Sequence, residues 1–159
     1  MLRTTKALHH CAFLPHSHRL ASNHSQIFRH YAASKGRVDV GRLLIERGAN
    51  INAKDGAHQH PLHRAATTNS SGFINLLLHP PEELKLPKTR LNTPDRIGNT
   101  PLHLAMESGH GDAAILLIEA GADRTRTNQD GEEPEEMQGI GGVGQKRLRD
   151  YIVERCGPR

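Results

Sequence analysis

The sequence has few of the side chains that usually fill a single large core. It contains no Trp, and aromatic residues make up 3% of its 159 positions. Without large rings, a core has to be built from Ala, Leu and Ile, which suits thin stacked helices better than one globular centre. A chain of this length allows one domain.

Three further absences exclude classes of function. The two cysteines, Cys11 and Cys156, lie at opposite ends without partner spacing, which indicates a reducing compartment. No run of ~18 apolar residues occurs, so a membrane span is excluded. Residues 39–159 hold 15 basic and 17 acidic groups, a net charge of −2, and they show no basic stripe. Nucleic-acid binding is therefore not expected.

Acidic residues are also absent from residues 1–38, and the first 27 residues follow no repeat pattern. We predict a disordered or non-native tail over residues 1–27. An acid-free start with Arg and Ser is also typical of a mitochondrial transit peptide, but Pro15 interrupts the amphipathic helix that such a peptide needs. Mitochondrial targeting is the alternative interpretation of this segment.

The segment 95–105, Asp-Arg-Ile-Gly-Asn-Thr-Pro-Leu-His-Leu-Ala, combines a tight turn with a helix start. Gly98 can take the positive φ that such a turn requires. Thr100 can accept a hydrogen bond from a free amide of the first helical turn, and Pro101 suits the first helical position. The segment therefore predicts a turn followed by a helix that ends at Gly109.

The histidine of this segment recurs at a fixed interval. His30 precedes His63 by 33 residues, and His103 follows His63 by 40, which is 33 plus a seven-residue insertion. Leucine-rich triplets follow each histidine after 13 to 15 residues, at 43–45, 76–78 and 116–118. Two markers at one interval indicate an internal repeat.

The combination of turn, Thr-Pro-Leu-His and period resembles the ankyrin repeat. The resemblance implies an all-α solenoid of about three repeats plus a C-terminal capping repeat. We expect the ankyrin-repeat domain at residues 28–157, with repeats at about 28–54, 55–94 and 95–127 and the cap at 128–157. Residues 80–87 are expected to bulge out as a loop. A final helix over 145–155 is expected to turn four side chains inward: Leu148, Tyr151, Ile152 and Val153.

No group of residues supports catalysis. His58, His60 and His63 have a spacing that a metal could use, but no Cys or carboxylate completes the set. The glycines of segment 139–144 lack the Gly-Lys-Ser/Thr ending of a phosphate loop, so a loose connection is expected. The acids of segment 130–136 are expected to be solvated at a helix start. We expect no enzyme activity, no cofactor and no metal.

The side chains free to bind a partner are those exposed on the turns and inner helices, because stacked repeats align them along one concave face. Mixed charges around Ile97 suit a charged protein partner with one apolar contact. The candidate partner-binding residues are Lys54, Asp55, Gln59, Arg64, Thr67, Thr68, Arg96, Ile97, Asn99, Glu107, Ser108, Gln129, Asp130 and Glu132.

Four segments together resemble the C-terminal half of the gankyrin family: His-Tyr-Ala-Ala-Ser-Lys, Ala-Lys-Asp, Leu-His-Arg-Ala-Ala and Gly-Asn-Thr-Pro-Leu-His-Leu-Ala. The acidic cap is similar to that of the fungal members. The resemblance covers about residues 30–157 and implies a non-catalytic chaperone for assembly of the proteasome regulatory particle. It implies that the concave face holds the C-terminal domain of an ATPase subunit, with Arg64, Arg96 and the acidic residues of the turns contacting opposite charges.

That family has more repeats, so the resemblance also implies an N-terminally shortened chain or a reduced affinity. The expected state is a monomer, and the expected localisation is cytoplasmic and nuclear. The same scaffold would equally serve an ankyrin adaptor or an inhibitor of another protein, such as a kinase, because a fold does not fix its partner.

Overall fold

The computed structural model describes His30 and residues 32–159, and the predicted tail over residues 1–27 lies outside them. The helices are α1 (Val38–Glu46), α2 (Pro61–Thr67), α3 (Ser71–Leu78), α4 (Pro101–Glu107), α5 (Gly111–Glu119) and α6 (Gly142–Cys156), with one-turn 3-10 helices at Glu82–Leu84 and Pro134–Glu136. His30 and residues 32–34 are also helical. No strand occurs in this part of the chain, and the all-α prediction is confirmed.

The helices stack in two layers. α2 packs against α4 in the inner layer, whereas α1, α3 and α5 pack in succession in the outer layer. α6 packs against α5 at the C-terminal end. Small residues lie where the layers meet, and the fully buried ones include Ala33, Ala65, Ala66, Ala105 and Ala114. Small side chains let helices approach closely, so a chain with few aromatics still forms a continuous core along the stack.

The predicted turn and helix start before α4 are confirmed. Gly98 has φ +88° in the turn, and Gly109 has φ +75° just after the helix. Thr100 precedes the helix, and its hydroxyl accepts from the His103 N–H, while Pro101 is the first helical residue. The local sequence therefore determines where this helix begins and ends.

The corresponding turn before α2 is weaker. His58 stands where the later turn has Gly98, and it takes φ +61°, a left-handed conformation that costs a side-chain-bearing residue about 1 kcal/mol. His60 stands where the later helix has Thr, and its side chain makes no capping hydrogen bond.

The seven-residue insertion does not bulge from the stack. After the 3-10 helix Glu82–Leu84, the chain returns to the body, and the Thr89 hydroxyl donates to the Leu77 carbonyl. Leu84 and Leu86 of the insertion, and Leu91 shortly after it, are partly buried and pack against the core. The prediction of a protruding loop is wrong because these leucines bury apolar surface by lying against the repeats.

The predicted inward face of the last helix is only half right. Leu148 and Ile152 are buried, but Tyr151 is 37% exposed and Val153 is 42% exposed. The third inward position is taken by Gln145, which is buried and donates its Nε2–H to the Met106 carbonyl at 3.3 Å. Positions 145, 148 and 152 lie on one face of a helix, which turns Tyr151 and Val153 away from it.

The glycines before and within the start of α6 form a close contact instead of a loose connection. A Cβ atom at Gly139 would overlap the Glu107 carbonyl at the end of α4. α6 already begins at Gly142, within the segment predicted to be loose. Gly139 is therefore needed for the close approach of the cap to the preceding inner helix.

Candidate functional site

A turn precedes each of α2, α4 and the 3-10 helix Pro134–Glu136. We call these turns, residues 55–60, 95–100 and 128–133, fingers A, B and C. In finger A, the Oδ1 atom of Asp55 accepts from the N–H groups of Ala57 (2.8 Å) and Gln59 (2.9 Å). Asp95 and Asn128 make the same two bonds in fingers B and C. Burial raises the pKa of Asp55, but the bonds from the Gln59 and Ala57 amides and from Arg64 outweigh it and lower the pKa overall.

Neighbouring fingers are joined through backbone and side chains. The Arg96 N–H donates to the Ala57 carbonyl at 3.1 Å, and one repeat later the Gln129 N–H donates to the Ile97 carbonyl at 3.2 Å. A second contact links the fifth residue of each finger to the first residue of the next. Gln59 Nε2 donates to Asp95 Oδ2 at 2.9 Å, whereas Asn128 Nδ2 donates to Asn99 Oδ1 at 3.0 Å. The finger tips are thereby held in a fixed row.

The repeated histidines attach each inner helix to the next finger. The Nε2 atoms of His30, His63 and His103 bond the carbonyls of Gln59 (2.8 Å), Asn99 (3.2 Å) and Glu132 (3.0 Å). In His63 the Nδ1 atom accepts from the His60 N–H at 3.0 Å, so Nε2 bears the proton and the ring is neutral. Burial lowers the pKa of His63 to about 4.

This arrangement leaves no ring nitrogen of His63 free for a metal. No group of three or more His, Cys, Asp and Glu side chains suited to a metal occurs within His30 and residues 32–159.

Most of the predicted partner-binding residues reach solvent. The exposed ones are Lys54, Thr67, Thr68, Arg96, Ile97, Glu107, Gln129 and Asp130, and the partly exposed ones are Asp55, Gln59, Arg64, Ser108 and Glu132. Asn99 is 3% exposed, and its place among the exposed residues is wrong. Its side chain joins fingers B and C inside the stack, because it accepts the hydrogen bond from Asn128.

Arg64 is held in position while it remains accessible. Its Nη2 atom donates to Asp55 Oδ2 at 3.2 Å, and the side chain is still 44% exposed. A guanidinium group has five N–H donors in a plane, so the remaining donors can bind an incoming carboxylate. Asp55 thus stabilises the turn of finger A and also orients the guanidinium of Arg64.

Ile97 is the apolar member of the row. It lies at the tip of finger B with 56% of its surface exposed. The Arg96 side chain folds back to donate to the Gly56 carbonyl, and Gln129 Nε2 donates to the Arg96 carbonyl at 3.1 Å. The isoleucine is therefore flanked by polar groups whose positions are fixed by neighbouring fingers.

Comparison with known families agrees with this geometry. The family model for ankyrin repeats (3 copies) matches residues 4–88 and 30–128. The chain belongs to the ankyrin-repeat family. Ankyrin-repeat proteins are typically non-catalytic scaffolds that bind other proteins, and the stacked fingers and helices described above form such a scaffold.

Several curated ankyrin-repeat proteins are similar to the chain. A protein of Saccharomyces cerevisiae named "Probable 26S proteasome regulatory subunit p28" is 36% identical over 137 residues, which are 86% of this chain and 57% of that protein. NF-kappa-B inhibitor zeta of Bos taurus is 33% identical over 88% of this chain and 21% of its own length. Human Rabankyrin-5 is 37% identical over 58% of this chain and 8% of its own length. The chain thus spans little more than half of the yeast relative and much less of the other two.

The ankyrin cap contains a buried ion pair that the sequence did not reveal. Glu135 was expected to be solvated, but it is buried, and its Oε1 accepts from Arg124 Nε at 2.6 Å. Arg124 also donates to the Gly157 carbonyl at 2.9 Å, and Arg149 donates to the Glu135 carbonyl at 3.2 Å. This pairing ties the 3-10 helix Pro134–Glu136 to the end of α6. The sequence shows only that Arg124 and Glu135 have opposite charges, and charge alone does not show that two side chains lie close together.

The finger surface carries groups that can bind another protein. Within the described part of the ankyrin chain, no helix is long and apolar enough to cross a membrane. The finger surface offers one apolar contact, fixed hydrogen-bond groups and charges of both signs, which are the elements of a protein-binding surface.

Proposed function

We propose that this chain is a non-catalytic scaffold that assists assembly of the proteasome regulatory particle by binding the C-terminal domain of one ATPase subunit. The observation that carries the proposal is the exposed Ile97 at the tip of finger B, flanked by the fixed polar groups of Arg96 and Gln129. An apolar centre with a polar rim is usual at protein interfaces. The choice of partner is supported by the similarity to the yeast protein named as a proteasome regulatory subunit.

Arg64 supports a charged partner. Because Asp55 already orients the Arg64 guanidinium, this side chain loses less conformational freedom on binding than a mobile arginine would. The proposal therefore expects a carboxylate of the ATPase domain beside Arg64 and an apolar side chain against Ile97.

The test uses immobilised C-terminal domains of the individual proteasomal ATPase subunits and the purified chain. We expect one domain to retain it. The change Ile97→Asp should weaken retention about tenfold or more, because it places a charge in a desolvated contact. Val153→Asp is the matched control, since Val153 is also exposed but lies on α6. Retention by none of the domains would overturn the proposal.

A second candidate is an adaptor or inhibitor of another protein, and it is favoured by the similarity to NF-kappa-B inhibitor zeta over most of this chain. In that case the chain binds no ATPase domain but captures a different protein from cell extract. The Ile97→Asp variant should fail to capture that protein, whereas the Val153→Asp variant should still capture it.

The proposed role also requires a monomer in the cytoplasm and nucleus. Light scattering of the purified chain and imaging of a fluorescent fusion test these two requirements, and an exclusively mitochondrial signal would contradict the role.

A further inference from the structure

We propose that the chain has a second binding surface, for an acidic polypeptide segment, at the edge where the outer helices return to the fingers. This surface, which we call the basic edge, consists of Lys54, Lys88, Arg90 and Arg126. All four side chains are exposed. None of them forms an ion pair with a carboxylate anywhere in the described residues. The proposal is independent of the function proposed above.

Asn52 fixes the backbone that carries two of these cations. Asn52 Nδ2 donates to the Lys88 carbonyl at 3.0 Å, and Asn52 Oδ1 accepts from the Arg90 N–H at 2.9 Å. One side chain thus fixes the backbone on both sides of position 89, next to the segment that contains Lys54. Leu84, Leu86 and Leu91 pack on the core and hold the same segment against the body of the protein.

The edge continues into the following repeat. Asn92 Oδ1 accepts from the Asp123 N–H at 2.9 Å, so the connection that contains Arg126 lies beside the end of the insertion. Lys54 and Arg90 are both close enough to the buried His60 to lower its pKa by their charge, although burial is the larger cause. Cations from three different connections therefore share one side of the stack.

These cations differ from the arginines that stabilise the fold. Arg64 pairs with Asp55 at 3.2 Å, and Arg124 pairs with Glu135 at 2.6 Å. Exposed cations that are not held in ion pairs create a positive potential that attracts an anionic partner. The basic edge therefore has the electrostatic character of a binding surface, whereas the paired arginines do not.

Acidic polypeptide fits this edge better than nucleic acid. The exposed Glu82 and Glu83 stand at the start of the insertion, where they would repel a continuous phosphate backbone. The basic edge also contains no aromatic side chain on which a base could stack. Separate carboxylates on a flexible segment can contact the cations and avoid the two glutamates.

The test measures the anisotropy of a fluorescent hexaglutamate peptide as the chain is added. We expect binding at about 20 mM salt that weakens strongly by about 150 mM, because the charges are exposed and become screened. The double change Lys88→Glu and Arg90→Glu should weaken binding about tenfold. Lys146→Glu and Arg147→Glu on α6 alter the net charge equally and should change it less than twofold. Lys88→Arg with Arg90→Lys should preserve it.

Three outcomes would overturn the proposal. These are no binding of hexaglutamate at low salt, an equal loss in both glutamate double variants, or tighter binding of a single-stranded oligonucleotide of the same charge. The retention of the chain by an immobilised ATPase domain tests the finger surface separately. We expect the double variant Lys88→Glu with Arg90→Glu to be retained as well as the unmodified chain.

Discussion

Lowering the pH from 7.5 to 5.0 should destabilise the stack, because His63 has to be neutral where it lies. Its Nδ1 atom accepts from the His60 N–H, its Nε2–H donates to the Asn99 carbonyl, and the side chain is fully buried. A proton added to Nδ1 would face the His60 N–H donor in a fully buried site. Burial, together with the neighbouring His60, lowers the pKa of His63 from 6.5 to about 4.

The sign of the effect follows from proton uptake. A histidine whose pKa is lower in the folded state than in the unfolded state binds fewer protons when folded, so acid favours unfolding. The stabilisation is complete above pH 6.5 and is lost as the pH falls towards 4. The free energy of unfolding falls by about 1.4 kcal/mol per pH unit in that window, so at pH 5.0 His63 alone removes about 2 kcal/mol. Burial also lowers the pKa of His103, which adds a loss of the same sign.

Urea unfolding followed by far-ultraviolet circular dichroism at the two pH values measures this loss. His63→Gln should be less stable at pH 7.5, but its further loss at pH 5.0 should be smaller than that of the unmodified chain by about 2 kcal/mol. His79→Gln, at an exposed position, is the control and should keep the full loss. The reasoning is refuted if the unmodified chain is equally stable at both pH values, or if His63→Gln keeps the full pH dependence.

Three further changes test the packing by the same unfolding measurement. Gly139→Ala should lower the free energy of unfolding by about 3 kcal/mol, because the added Cβ meets the end of α4. Gly56→Ala is the control and should lower it little, since a Cβ there meets nothing within 4 Å. Equal losses in the two variants would contradict the close contact. His58→Gly should stabilise by about 1 kcal/mol through relief of its positive φ, and a net destabilisation would argue against strain there. Arg124→Met should cost about 3 kcal/mol, because it removes the cation 2.6 Å from the buried Glu135 carboxylate and leaves only the longer contact with Arg159 at 3.7 Å. Unchanged stability would show that the pair with Arg124 is dispensable.

The features that the sequence predicted correctly are set by neighbouring residues. The turn, cap and helix start around Thr100 depend on a few consecutive side chains, and the 33-residue interval shows where each repeat stands. The exposed position of Ile97 follows from the same turn, because the tip of a tight turn points away from the body.

The errors concern contacts between distant segments. Asn99 occupies a turn, but its exposure is decided by Asn128, 29 residues later. Glu135 looks like one of several solvated acids until Arg124 is placed beside it by the stacking of the cap. The hydrogen bond from Gln145 to the Met106 carbonyl sets the rotation of α6 about its own axis. The prediction from apolar spacing alone placed Tyr151 on the inner face, where it does not lie. Such contacts arise only when the repeats are stacked, and local patterns do not encode them.

The carboxamides at the fifth finger position make the joints between repeats adaptable. Gln59 offers an N–H to the carboxylate of Asp95, whereas Asn99 offers an oxygen to the amide of Asn128. A half-turn of a carboxamide about its last bond exchanges donor for acceptor. Evolution can therefore interchange aspartate and asparagine at the head of a following finger without redesigning the preceding one, since rotation of a single neighbouring group restores the match.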